Sequence, residues 1–252
     1  MAMVDDSNRA KPSALTENIK TIGYALLIAL VIRAFFFQPF NIPSGSMLST
    51  LLIGDYLFVS KYSYGYSKHS LPFSPDLFSG RIFGSLPDRG DIVVFKVPTD
   101  NQTDFIKRVI GLPGDQIQMR QGILYINGVA VPHERVDDFI ESDYAGGVRR
   151  VARYRETLPN GVTYTVLDLI KGGPGDDTPV YTVPEGHLFM MGDNRDNSND
   201  SRVAGEVGYV PVENLVGKAQ IIFFSTDGSA RWWEFWRWFS AVRWDRLFTI
   251  LH

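Results

Sequence analysis

The longest apolar run in the chain lies near its start. From Ile19 to Phe37 only Lys20, Thr21 and Arg33 interrupt it, and nineteen helical residues span about 28 Å, close to a bilayer core. The pattern predicts a membrane helix over 19–38, preceded by a polar leader over 1–18 and closed by Pro39. Arg33, near its end, can reach back to the headgroups. A cleaved signal sequence fits poorly, because Phe35-Phe36-Phe37 gives no small-residue cleavage site. A buried soluble helix is the remaining alternative.

Beyond Phe40 the period changes from helical to short apolar runs broken by turn residues. Asp55–Tyr62 mixes aromatic and β-branched residues, and Ile92-Val93-Val94-Phe95 suits a strand buried on both faces. Leu188–Met191 and Gln220–Phe224 read the same way. Asn127-Gly128 and Asn160-Gly161, each between apolar runs, predict hairpins. Ser63 to Arg89 reads as a long loop, with Leu71, Phe73, Leu77, Phe78, Ile82 and Phe83 free to touch a membrane or fold over the core. No segment between Phe40 and Thr226 holds a 3.6-residue period over three turns, so this part is mostly β. The tail over 227–252 contains all five tryptophans, with arginines spread around any helical wheel, and reads either as an interfacial aromatic belt or as packing against the β-structure.

Composition narrows the chemistry more than it narrows the fold. Cysteine is absent, which removes disulfides, thiolate catalysis and Cys-ligated zinc, and four histidines make a His-rich metal site a poor fit. A net charge of −3 and the lack of a basic stripe give no footprint for nucleic acid. Basic residues Arg9, Lys11 and Lys20 precede the apolar run, and after Arg33 the next is Lys61, which favours a cytoplasmic N-terminus.

Directly after the apolar run comes Ser44-Gly45-Ser46, two hydroxyls with apolar neighbours. A serine nucleophile needs a base. Among the histidines only His187, before a strand, is a candidate. The alternative is a lysine whose pKa of about 10.4 is lowered by burial. In Asp104–Ile110, strand alternation puts Phe105, Lys107 and Val109 on one face and Ile106, Arg108 and Ile110 on the other. A lysine between apolar neighbours is unusual, although an edge-strand surface lysine reads the same way.

Four segments carry a resemblance. Ile42–Met47, Arg89–Phe95, Lys107–Asp115 and Gly192–Arg202 resemble, in order, the conserved boxes of bacterial type I signal peptidases, membrane-anchored Ser/Lys endopeptidases that remove signal peptides from exported proteins. By motif position the resemblance implies that Ser46 is the nucleophile and Lys107 its general base. Ser44 and the Ser46 amide would form the oxyanion hole. Ser198 would orient the lysine, Asp200 and Arg202 would form a supporting ion pair, and Asp193 and Arg195 would brace the loop. Phe40, Ile42, Pro43, Met47, Phe105 and Ile106 would line a substrate cleft whose shallow pockets favour small, Ala-x-Ala-like residues.

The implied fold is a membrane helix followed by a coiled, β-barrel-like catalytic domain over 39–115 and 188–226. A smaller β-domain would be inserted at 116–187. No cofactor or metal is implied; the partners are signal peptides and the lipid bilayer, with the enzyme in the bacterial inner membrane and its catalytic part extracytoplasmic. Asp196, Ser198 and Asp200 have alternate spacing that a calcium loop would share, but Ser201 and Val207 stand where its glycine and glutamate belong. Rival readings are a self-cleaving Ser/Lys protease and a non-enzymatic membrane-anchored β-domain.

Overall fold

A computed structural model describes residues 14–142, 147–231 and 233–251. The first part of the polar leader, Trp232 and His252 lie outside the described residues. Helix α1 runs Ala14–Phe35, and its Leu15–Phe35 stretch is long and apolar enough to cross a membrane, with little of it covered by the rest of the chain. The helix ends earlier than the apolar run does. Phe37–Asn41 forms β1 instead, paired antiparallel with β2 (Asp55–Ser60) from Phe37↔Ser60 to Asn41↔Tyr56. Pro39 cannot donate to a helix and disfavours helix at the residue before it, so strand pairing captures the last apolar residues. The helix end is fixed to the sheet: the Lys61 amide donates to the Phe36 carbonyl at 2.8 Å, and Tyr66 Oη donates to that of Phe35 at 3.0 Å.

The strands continue with β3 (Ile92–Lys96), β4 (Asp104–Gly111), β5 (Gln116–Arg120), β6 (Ile123–Ile126), β7 (Val129–Ala130), β8 (His133–Arg135) and β9 (Phe139–Ser142). After them come β10 (Val148–Thr157), β11 (Thr163–Asp168), β12 (Tyr181–Thr182), β13 (His187–Met191), β14 (Val210–Pro211), β15 (Leu215–Ser225) and β16 (Thr249–Ile250). The chain is mainly β, as its pattern predicted. The largest sheet has the order β1-β2-β15-β3-β4-β13-β14, with β16 added to β15. A second sheet is β11-β10-β8 with β9 on β10, and a third is β12-β5-β6-β7.

Both predicted hairpins form. Asn127 and Gly128 take positive φ at the β6–β7 turn, and Gly161 does so between β10 and β11. The buried-strand reading of β3 also holds, because Ile92 and Val94 pack into one cluster and Val93 and Phe95 into another. A third cluster joins Ile110, Phe189 and Met191 of the large sheet to Ile117, Leu124, Leu158 and Val166 of the other two. The segment 116–187 thus shares apolar core with the sheet it interrupts.

Ser63–Arg89 is largely irregular, pinned by Arg81, whose guanidinium donates to the carbonyls of Tyr64, Gly65, Val212, Glu213 and Leu215. Its Phe73, Leu77 and Phe83 project into solvent rather than onto the core. The tail splits between the two readings offered for it. Leu251 joins the core and Arg246 pairs with the buried Asp55 at 2.6 Å, while Phe235, Trp236, Trp238, Phe239, Trp244 and Phe248 stay exposed around the short helix α2 (Phe235–Ala241).

Candidate active site

Ser46 and Lys107 are 61 positions apart in sequence, and the fold puts Lys107 Nζ 2.7 Å from Ser46 Oγ. Ser46 sits in the turn after β1, whose entry is fixed by the Ile42 amide donating to the Asp55 carbonyl at 2.8 Å. Lys107 lies on β4 in the stretch that pairs with β3 but not with β13, yet it is buried, so the surface-lysine reading is wrong. Its residue is 3 % exposed, and Nζ stands 5.2 Å from the Phe105 ring centroid. Burial lowers its pKa from 10.5 to about 8, with the charges of Asp200 and Asp193 opposing the shift.

The pair opens onto a cleft of ≈ 540 Å³. One wall is Phe40 to Ser46, the other Thr103 to Lys107, and Asp196 to Asn199 close the end. Phe40, Ile42, Pro43, Phe105 and Ile106 therefore line it, as does the exposed Ser44. Met47 does not: the turn carries it into the core, where it is buried with Leu51 and Leu57. His187 lies elsewhere, its Nδ1 2.9 Å from the Glu185 carbonyl.

The loop after β13 forms the floor. The Asn194 amide donates to the Ser46 carbonyl at 3.1 Å and its Nδ2 to that of Gly45 at 2.9 Å. Asp200 is fully buried; burial disfavours its charge, but the Arg202 guanidinium, the Gly192 amide and the Ser198 hydroxyl together outweigh this, and its pKa falls. Both carboxylate oxygens meet Arg202 at 2.9 Å, and Oδ2 also accepts from the Gly192 amide at 3.0 Å. Asp196 accepts instead from the Leu169 and Ile170 amides at 2.7 and 2.9 Å, so the two carboxylates of the calcium-like spacing serve different partners.

Asp193 and Arg195 pair away from each other. Arg108 holds Asp193 through two bonds of 2.9 and 2.8 Å, and Arg195 holds Glu156 of β10 through two of 3.0 and 2.5 Å. Ser198 lines the cleft with Lys107; its Oγ is buried, and its hydroxyl contributes to the lowered pKa of Asp200.

Residues 15–224 match the family described as signal peptidase, peptidase S26. The chain belongs to this family. A signal peptidase I of Rickettsia typhi (strain ATCC VR-144 / Wilmington) is 41 % identical across 97 % of each chain. That of Rickettsia canadensis (strain McKiel) is 44 % identical across 92 % of each. A crystal structure of a signal peptidase I from Enterococcus faecalis V583 is 29 % identical and covers 53 % of this chain and 97 % of that one, with a TM-score of 0.30. As a peptidase S26 member the protein is a serine endopeptidase, a hydrolase.

Three supports of this S26 site were not apparent from sequence. Glu156 carries no local signal, because its partner Arg195 is 39 positions away, in the loop after β13. Asn194 stands inside the recognised box, yet only its fold shows that it holds the Ser46 turn. Gly192 is needed for close approach: a Cβ there would stand 2.2 Å from Ser198 Oγ and 2.6 Å from the Ser46 carbonyl oxygen.

Proposed function

We propose that this chain is a membrane-anchored signal peptidase that removes N-terminal signal peptides from exported preproteins through a Ser46/Lys107 dyad. The observation that carries the reading is the 2.7 Å approach of a nearly solvent-free Lys107 Nζ to Ser46 Oγ. Lys107, neutral, takes the hydroxyl proton as Oγ attacks the scissile carbonyl. The tetrahedral oxyanion is held by the Ser44 hydroxyl and the Ser46 amide. As the C–N bond breaks, the Lys107 ammonium gives that proton to the leaving amine. Water, deprotonated by the same amine, then hydrolyses the acyl-enzyme ester and frees Ser46.

Ser198 positions the lysine, with the Asp200–Arg202 pair holding its loop. Asp104 to Lys107 pair with β3 on one edge only among the described residues, which leaves the cleft-side edge open to an extended substrate strand. Phe40, Ile42, Pro43, Phe105 and Ile106 offer it apolar surface, and the shallow pockets they form suit small side chains, Ala-x-Ala-like, before the cut. Helix α1 anchors the enzyme with its N-terminus cytoplasmic and the β-structure extracytoplasmic, so that cleavage occurs where a substrate leaves the bilayer. Residues 39–115 with 188–226 form the catalytic unit and 116–187 its insert.

The test is preprotein cleavage by the purified full chain in detergent, comparing Ser46→Ala and Lys107→Ala with the wild type. Both should lose cleavage to background. Full activity in either variant would falsify the dyad.

A further inference from the structure

A second cavity, of ≈ 590 Å³, lies at the end of α1 and shares Asp104 with the cleft. Its charged lining is Arg33, Lys61, Lys68, His69 and Lys96 against Asp100 and Asp104. The carboxylates are already engaged. Asp104 holds Lys96 at 2.9 Å, and Asp100 accepts from the amides of Gln102 and Thr103 at 2.8 and 3.0 Å and from Thr103 Oγ1. Lys68 pairs outward with Asp76 at 3.1 Å. Arg33 and Lys61 form no ion pair among the described residues; at Lys61 the charge of Asp104, already engaged by Lys96, is opposed by those of Arg33 and Lys96.

Lys61 is 2 % exposed, and Nζ donates only to the Ser70 carbonyl, at 2.8 Å. His69 is 4 % exposed, and both of its ring nitrogens are buried without a hydrogen-bond partner. A buried polar group left unpaired is costly, so such groups call for a partner. Two unpaired cations and an unsatisfied imidazole around one cavity fit an anion with several acceptor oxygens.

The lip of the cavity is apolar. Leu71, Pro72 and Phe73 line it, and the Phe73 ring is fully exposed. Arg33 belongs to the last turn of α1, which a membrane crossing would bring to headgroup level. We propose that this cavity binds the phosphate of an anionic membrane phospholipid, with Arg33, Lys61 and His69 donating to its oxygens and Leu71 and Phe73 against the glycerol and first methylenes. A free phosphate would use the cations and gain nothing from the apolar lip. A choline headgroup would add a cation to a site already rich in them. The inference rests on α1 crossing the membrane and is independent of the dyad.

The test uses the full-length Ser46→Ala chain, in which turnover plays no part, reconstituted in nanodiscs of equal phosphatidylglycerol and phosphatidylcholine and released for native mass spectrometry. One phosphatidylglycerol should remain per chain, retained at least about tenfold over phosphatidylcholine. Adding Arg33→Gln or Lys61→Met should each reduce retention by about tenfold. Millimolar inorganic phosphate should leave it in place. Melting temperatures identify any Lys61→Met misfolding, and Arg33→Gln, at an exposed position, keeps the test decisive. Equal retention of both lipids, displacement by inorganic phosphate, or retention unchanged in Arg33→Gln would each overturn the proposal.

Discussion

The structure contains two buried lysines that differ mainly in what they touch. Lys107 and Lys61 are 3 % and 2 % exposed, and burial lowers both from 10.5 to about 8. Each Nζ has an oxygen close by, Ser46 Oγ at 2.7 Å in one case and the Ser70 carbonyl at 2.8 Å in the other. A hydroxyl has a proton to give and a carbonyl has none. Lys107 is set beside a hydroxyl it can deprotonate, and Lys61 beside a group that can only accept. Their fields differ too: Asp200 and Asp193 act on Lys107, whereas Arg33 and Lys96 oppose Asp104 at Lys61. A lowered pKa thus marks desolvation, and the neighbouring atom decides whether desolvation serves catalysis or binding.

The sharpest way to break this comparison is a pH profile. A base must be neutral, so kcat/KM should rise about tenfold per pH unit below about 8 and level off above it. Ser46→Ala and Lys107→Ala should each lower kcat by on the order of 10⁴. Since both lysines sit near the same pKa, Lys61→Met decides which one the limb reports. The limb should stay near 8 in that variant; a shift would assign it to the wrong lysine.

The next effect separates the walls of the two cavities. The loop at Lys61 is held by Arg81 to backbone carbonyls, while the loop at Lys107 is held by buried ion pairs. Glu156→Ala would leave Arg195 buried and unpaired, and should cost about 3–5 kcal/mol in a denaturant titration. Burial would raise the Glu156 pKa, but Arg195 together with the hydrogen bonds from His133 and Tyr164 outweighs it and lowers it from 4.5 to about 2. The stabilisation from this carboxylate is therefore present above about pH 4.5 and lost as pH falls toward 2, a dependence that Glu156→Gln should remove.

A smaller change acts on the Lys107 side through geometry alone. Gly192→Ala puts a methyl group against Ser198 and the Ser46 carbonyl, so Ser46 must shift. A misplacement of about 1 Å typically costs on the order of 10² in rate, read as kcat in the cleavage assay.

These supports also show where sequence stopped being informative. The strands and hairpins were legible because Ile92–Phe95, Asn127-Gly128 and Asn160-Gly161 act over a few residues. The box residues singled out Ser46 and Lys107, while their 2.7 Å contact depends on how the turn after β1 lies against β4, which alternation within one strand cannot reveal. The end of α1 was misplaced because hydropathy reports burial or lipid and does not see that β2 pairs with Phe37–Asn41. Met47 went to the wrong side of the Ser46 turn for a related reason, since a turn breaks any face assignment. Glu156–Arg195 had no local trace at all.

The smallest effect tests the hydroxyl that has no counterpart beside Lys61. Ser198 Oγ is buried and its hydroxyl helps to hold the Asp200 pKa down, so Ser198→Ala should cost only about 1 kcal/mol of stability. A residue with only a structural role would then leave kinetics untouched. If Ser198 instead orients Lys107 during the reaction, kcat should fall about tenfold, and the limb near pH 8 should move because the amine has lost a neighbour that favours one protonation state. Stability largely retained with a displaced limb assigns Ser198 to positioning Lys107. Stability largely retained with an unmoved limb and full kcat would make the dyad self-sufficient, and the loop after β13 would then serve only to hold the Ser46 turn through Asn194.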